Sequence, residues 1–171
     1  MLNVRRNVFE TNSSSSHSIA LKCDSDEDFY TKEEARKELS EYIKNDVLDL
    51  TELVPVEFSW GVEIYEDFYH KLFYALITFY TSDDVLEDER SDFNRLITWL
   101  KQFLGVNEII YPINTEEAWD GCSQAKYYFG RIDHQSTDTL IEALEEDPDN
   151  HTVIDFITNQ NIILIIDNDN H

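Results

Sequence analysis

The stretch that most constrains the fold is residues 65–80, YEDFYHKLFYALITFY. Tyr65, Phe68, Tyr69, Leu72, Phe73, Leu76, Phe79 and Tyr80 recur at helical spacing and cover more than half of a helix circumference. A helix this apolar has to be enclosed by other elements. The spacing therefore predicts a buried helix over 65–80, with the rest of the chain packed around it. Any part of the aromatic run left exposed would be a face for a partner or a second copy.

Other segments supply the packing layers. Phe93, Leu96, Ile97, Leu100, Phe103 and Leu104 form one stripe of a helix over 92–104, with Ser91 placed to cap it and Gly105 to stop it. Thr31 and Glu34 have capping-box spacing ahead of Ala35, Leu39, Tyr42 and Ile43, which predicts a helix after an acidic loop. Strands are expected at Val4–Phe9, Ile19–Leu21, Val56–Phe58 continuing to Trp60, Glu108–Tyr111, Tyr127–Ile132 and Ile162–Ile166. Val153–Ile157 reads as a further strand, joined to 162–166 by a hairpin turn at Thr158–Asn161, or as a short helix because its apolar residues do not alternate. A last helix spans Leu140, Ile141 and Leu144 with Ser136 or Asp138 as its cap. The expectation is an α+β fold in one domain over 1–171, a mixed or antiparallel sheet with three to four helices. Residues 1–22 form a strand pair, 31–105 a helix-rich middle and 106–171 a mixed C-terminal part.

Charge narrows the function classes. The chain has 36 Asp and Glu against 13 Lys and Arg, a formal charge of −23 in 171 residues. Its 42% apolar and 13% aromatic content is too high for a disordered acidic tail. The excess is uneven: residues 1–22 hold Arg5, Arg6 and Lys22 against Glu10, whereas residues 102–171 hold only Lys126 and Arg131 as bases. Direct nucleic-acid binding and anionic membrane binding both need clustered Lys and Arg, which this chain lacks. No window is apolar enough for a membrane span. The start lacks the apolar core of a signal peptide, and two cysteines, Cys23 and Cys122, are read as reduced, so a cytoplasmic location is expected.

Surplus acid on this scale suits a basic partner. Duplex DNA carries one charge per ~1.7 Å, so 23 net charges match roughly 40 Å of duplex, about the span of a compact chain of this length. Such a surface would compete for grooves that hold DNA or RNA by pairing carboxylates with Arg and Lys. The contact residues expected are Asp24, Asp26, Glu27 and Asp28 in one cluster and Asp83, Asp84, Glu87, Asp88 and Glu89 in another. Neither alternates with Lys at helical spacing, so neither is neutralised by local ion pairs. Exposed Trp60 or Trp119 would anchor the contact. The alternative for the same acids is plain solvation.

A second constellation is polar rather than acidic. Thr11-Asn12-Ser13-Ser14-Ser15-Ser16-His17-Ser18 reads as a loop of turn-forming residues between strands. Its backbone N–H groups and hydroxyls would suit an anion, with His17 as acid or base. Joined by Asp133, His134 and Ser136, it would make with Ser16 a small hydrolytic or phosphate-binding site. It lacks the glycines of a phosphate loop and any G-x-S-x-G elbow, and a turn whose serines bond their own backbone is the simpler account of it. His17, Asp133, His134, Asp167 and Asp169 have metal-ligand chemistry but no ligand spacing, so no metal and no cofactor is expected.

The segment Arg6-Asn7-Val8-Phe9-Glu10-Thr11-Asn12-Ser13-Ser14-Ser15-Ser16-His17-Ser18 resembles the start of a group of small uncharacterised bacteriophage and mobile-element proteins. Ile132-Asp133-His134-Gln135-Ser136 and Asp167-Asn168-Asp169-Asn170 are similar to the same group. The resemblance implies a phage or prophage setting, in which short acidic proteins serve as inhibitors of host defence. The expectation is a non-catalytic inhibitor in the host cytoplasm, of anti-CRISPR or anti-restriction type, that binds a basic surface of a nucleic-acid-handling complex. The rival is an enzyme or phosphate-ligand protein built on the 11–18 tract and Asp133-His134. The sequence sets no oligomeric state.

Overall fold

A computed structural model describes residues 15–21, 28–51, 56–58, 63–82, 92–111, 130–132, 140, 141, 144 and 152–168. In chain order its elements are β1 (Ser15–Leu21), α1 (Lys32–Glu38), β2 (Ile43–Lys44), β3 (Val47–Asp49), β4 (Val56–Phe58), β5 (Glu63–Tyr65), α2 (Phe68–Ser82), α3 (Asp92–Leu104), β6 (Glu108–Ile110), β7 (Gly130–Ile132), α4 (Val153–Thr158) and β8 (Ile162–Asn168). The class is α+β, with antiparallel and parallel pairing both present.

Helix α2 is the centre of the core. Every residue from Lys71 to Phe79 is buried. The buried side chains form one cluster that draws Ala35 and Leu39 from α1, Leu48 from β3, Phe93, Leu96, Leu100 and Leu104 from α3, Phe156 and Ile157 from α4 and Ile162, Leu164 and Ile166 from β8. The helix starts at Phe68 rather than Tyr65, which corrects the reading of 65–80 as helix throughout. Asp67 is the reason: its carboxylate accepts the His70 backbone N–H at 2.9 Å, the N-cap interaction that sets a helix start. Upstream, Glu63–Tyr65 pairs with β8 instead.

Strand β8 lies in the middle of a sheet of order β1-β8-β5, antiparallel to both neighbours. Ile162, Ile163, Leu164 and Ile166 are all buried, as in a strand covered on both faces, and this explains why the run does not alternate. Among the described residues two further sheets are built from shorter strands. In one, β2 and β3 form a hairpin whose two turn residues, Asn45 and Asp46, have φ of 52° and 56°, and β6 joins β3 in parallel. Positive φ at both central positions is the two-residue turn that suits strand twist. In the other, β4 and β7 pair in parallel.

The local signals hold at three helix ends. Thr31 and Glu34 form the capping box of α1. Gly105 ends α3 at φ 62°, with its N–H bonded to the Gln102 carbonyl and that of Val106 to Lys101, the Schellman pattern that a residue without Cβ allows. Thr152 and Asp155 cap α4, so 153–158 is helix, not strand, and Thr158–Asn161 does not form a hairpin turn. The Asn159 N–H instead bonds back to the Asp155 carbonyl, and β8 pairs with β1 and β5.

The polar tract also differs from expectation. Ser15–Ser18 is not loop but the first half of β1, with Ser16 opposite Asp167 and His17 opposite Ile166. The β8 ladder gives this backbone the partners that a turn would seek in its own serines. Among the described residues, no helix is long and apolar enough to cross a membrane.

Candidate functional site

Helices α1 and α2, strand β5 and the connections beside them bring tyrosines and carboxylates together at the start of α2. Asp67, the N-cap, holds His70 through both oxygens, at 2.7 and 2.8 Å from Nδ1. Burial pushes the Asp67 carboxyl upward, but the hydrogen bonds from the His70 ring and backbone outweigh it, and the group lies below the usual carboxylate range. A carboxylate only accepts, so Nδ1 carries the proton and the lone pair of a neutral ring is on Nε2. The imidazole stacks on Tyr65 at 4.5 Å and meets the edges of Tyr69 and Phe58 at 5.2 and 6.4 Å. Phe58, fully buried, also props Tyr65 from behind at 5.3 Å.

The neighbouring tyrosines are tied in from α1 and β5. The Glu38 carboxylate accepts the Tyr69 N–H at 2.8 Å, fixing the C-terminal end of α1 against the first turn of α2. Tyr69 stacks on Tyr42 at 6.2 Å. The Tyr65 hydroxyl donates to the Glu63 carboxylate, and the Tyr30 hydroxyl donates to the Glu66 carbonyl at 3.4 Å. Tyr30, Tyr42, Tyr65, Tyr69 and His70 are all half-buried, whereas Glu41, Glu63 and Glu66 are exposed.

The charges act in concert. Burial, then the negative charges of Glu38 and Asp67, push the Tyr30 hydroxyl up to about 12. Tyr65 is raised further, by burial and then by Glu63 and Asp67. Tyr69 is raised by burial, by Tyr42, and by the charges of Asp67 and Glu41. Asp67 thus acts on three hydroxyls at once, and the field over the patch is negative. Under it lies Lys71, fully buried, whose Nζ sits 5.6 Å from the centre of the Tyr30 ring. Its ammonium donates to the carbonyls of Asn159 and Ile162 at 2.8 and 3.1 Å, anchoring the α4–β8 turn.

Such a surface has two chemical uses. The Asp67–His70 pair has the form of an oriented base. Tyrosine faces flanked by carboxylates suit a cation, since a guanidinium stacks on the ring and bonds the acid in its plane.

Of the site residues expected from the sequence, the three that are described, Ser16, His17 and Asp28, do not belong to this patch. Asp28 is described and exposed, and its backbone carbonyl accepts the Gln160 N–H at 2.7 Å. Ser16 and His17 lie on β1. Asp24, Asp26, Glu27, Asp83, Asp84, Glu87, Asp88, Glu89, Asp133, His134 and Ser136, with Trp60 and Trp119, lie outside the described residues. Among the described residues, no three His, Cys, Asp or Glu side chains are grouped to hold a metal ion. The missed signal was Asp67-Phe68-Tyr69-His70, an N-cap with a histidine three residues on. No family model, curated protein or solved structure matches the chain.

Proposed function

We propose that the protein binds a basic surface on a nucleic-acid-handling complex and works by occupying it, in the manner of a phage-type inhibitor of host defence. The observation that carries this reading is the convergence of Glu38, Glu41, Glu63 and Asp67 on half-buried tyrosines, in a chain of net charge −23. Acids in excess of local pairing steer encounter with a cationic groove, and ordered aromatic rings give the bound state its lifetime. The setting in host defence comes from the sequence resemblance, and the acidic stretches 24–28 and 83–89 of the sequence carry the same chemistry.

The test is capture from host lysate on the immobilised protein at about 50 mM and about 300 mM salt, where screening of exposed pairs differs most. Nucleic-acid-binding proteins held at low salt, released at high salt and lost with Glu63→Lys and Glu66→Lys together support the reading. Retention that ignores both salt and charge reversal refutes it.

A further inference from the structure

Helices α3 and α4 enclose, with the helical residues Ile141 and Leu144, a recess of about 390 Å³, within the usual size of binding pockets, roughly 300–1,000 Å³. Leu96, Trp99, Val153 and Ile154 complete its apolar walls. The Trp99 indole is held firmly: it stacks on Phe103 at 5.0 Å and 13°, and Phe103 stacks in turn on the buried Phe68. Ile154 is 36% exposed and borders the opening.

The polar groups at the recess bond within their own helix termini. Arg95 donates to the Asp92 carboxylate at 3.0 Å, and the Thr152 hydroxyl donates to Asp155 at 2.7 Å while accepting the Asp155 N–H. Beyond Arg95, at one end of the lining, a polar occupant would find little to bond, whereas an apolar one would lose only water. In sequence, the segments that carry these walls are flanked by acid: Asp83, Asp84, Glu87, Asp88 and Glu89 precede α3, and Glu142, Glu145, Glu146, Asp147 and Asp149 fall between Ile141 and Thr152. Arg90 is the one Lys or Arg in those flanks.

We infer that this recess receives a bulky apolar side chain of the partner, aromatic or branched aliphatic, from a segment with Lys or Arg on either side of it. This rests on the reading of the protein as a binder of basic surfaces, and assigns its anchor. Charge would bring the segment in and the recess would fix its register, because an apolar socket walled by a firmly held indole concentrates binding energy on one side chain.

The full chain is titrated into two fluorescein-labelled lysine-rich peptides that differ only in a central Trp or Gly, read by anisotropy at low and at moderate salt. The expected result is that the Trp peptide binds about tenfold tighter or more, and that Ile154→Asp abolishes this difference while circular dichroism shows the variant folded. On charge alone the same substitution would tighten both peptides. Equal binding of the two peptides, weakened by salt, overturns the socket and leaves the basic-partner reading standing. Binding of neither peptide overturns both. A Trp preference that survives Ile154→Asp also overturns the socket, since the ring is then held elsewhere.

Discussion

The ammonium of Lys71 and the backbone carbonyl of Asn159, 88 residues apart in sequence, meet at 2.8 Å in the interior. The same ammonium reaches the Ile162 carbonyl, so one side chain of α2 holds the turn between α4 and β8. Tyr30 is fastened to this turn too, through its N–H to the Thr158 carbonyl at 2.7 Å. Lys71→Met keeps the apolar stem but leaves these carbonyls without their donor. A buried group so deprived costs about 1–3 kcal/mol, so a loss on the order of 3 kcal/mol is expected for the pair. Thermal denaturation should show a midpoint lower by about 6–12 °C, and a change within error would mean that the carbonyls find other donors.

Asp67 does two jobs that separate by substitution. Asn still caps a helix but bears no charge, whereas Ala does neither, so Asp67→Ala should cost about 1 kcal/mol and Asp67→Asn less. The acid limb of stability distinguishes them further. The folded pKa of Asp67 lies below its unfolded value, so its contribution is present above the unfolded value and fades as pH falls through the folded one. Wild type should therefore lose stability more steeply than Asp67→Asn below about pH 4, as measured by urea midpoints across the acid range.

Tyrosine ionisation reports the negative patch directly. Tyr30, Tyr65, Tyr69 and the fully buried Tyr74 are four of nine tyrosines, and all are raised above the ordinary value. Ultraviolet titration should show these four ionising late. Because their folded values exceed the unfolded one, the stability they confer is complete below about pH 10 and is lost as pH climbs through the folded values. Glu38→Gln removes one of the charges acting on Tyr30 and should bring that hydroxyl down from about 12. An unchanged titration curve would place Glu38 too far away to act.

Gly105 occupies a backbone region closed to most residues, at φ 62°. A Cβ there would also press on the end of the Lys32 side chain. Lys32 is flexible and gives way, so the cost of Gly105→Ala is that of the backbone, about 1–2 kcal/mol. Chemical denaturation measures it, and a neutral result would mean that α3 ends differently.

Much of the fold was legible because its signals are local. Thr31 with Glu34 announced α1, the stripe from Phe93 to Leu104 with Gly105 announced α3, and Ile162–Ile166 announced a buried strand. Two features turn on short motifs that the apolar pattern does not resolve. The box Thr152-Val153-Ile154-Asp155 decides for helix against β-branched composition, and Asn45-Asp46 is a two-residue turn that no hydrophobic pattern marks. The face at the start of α2 was not legible, because Glu38, Tyr42, Phe58 and Glu63 reach it from separate elements. Its one internal clue, His70 beside Asp67, sits within an aromatic run whose periodicity speaks only of core.

The order of strands in the β1-β8-β5 sheet has a consequence for how the chain comes to be folded. β8 is the shared neighbour through which β1 and β5 are held together. A ribosome delivers β1 more than a hundred residues before its hydrogen-bonding partner exists. Long-range pairing of this kind is slow to nucleate, so the early segments must wait in an open state until 162–168 emerge. During that interval the like charges spread along the chain hold waiting molecules apart from one another. The acidity that suits a cationic target would then also act as the protein's own safeguard during synthesis.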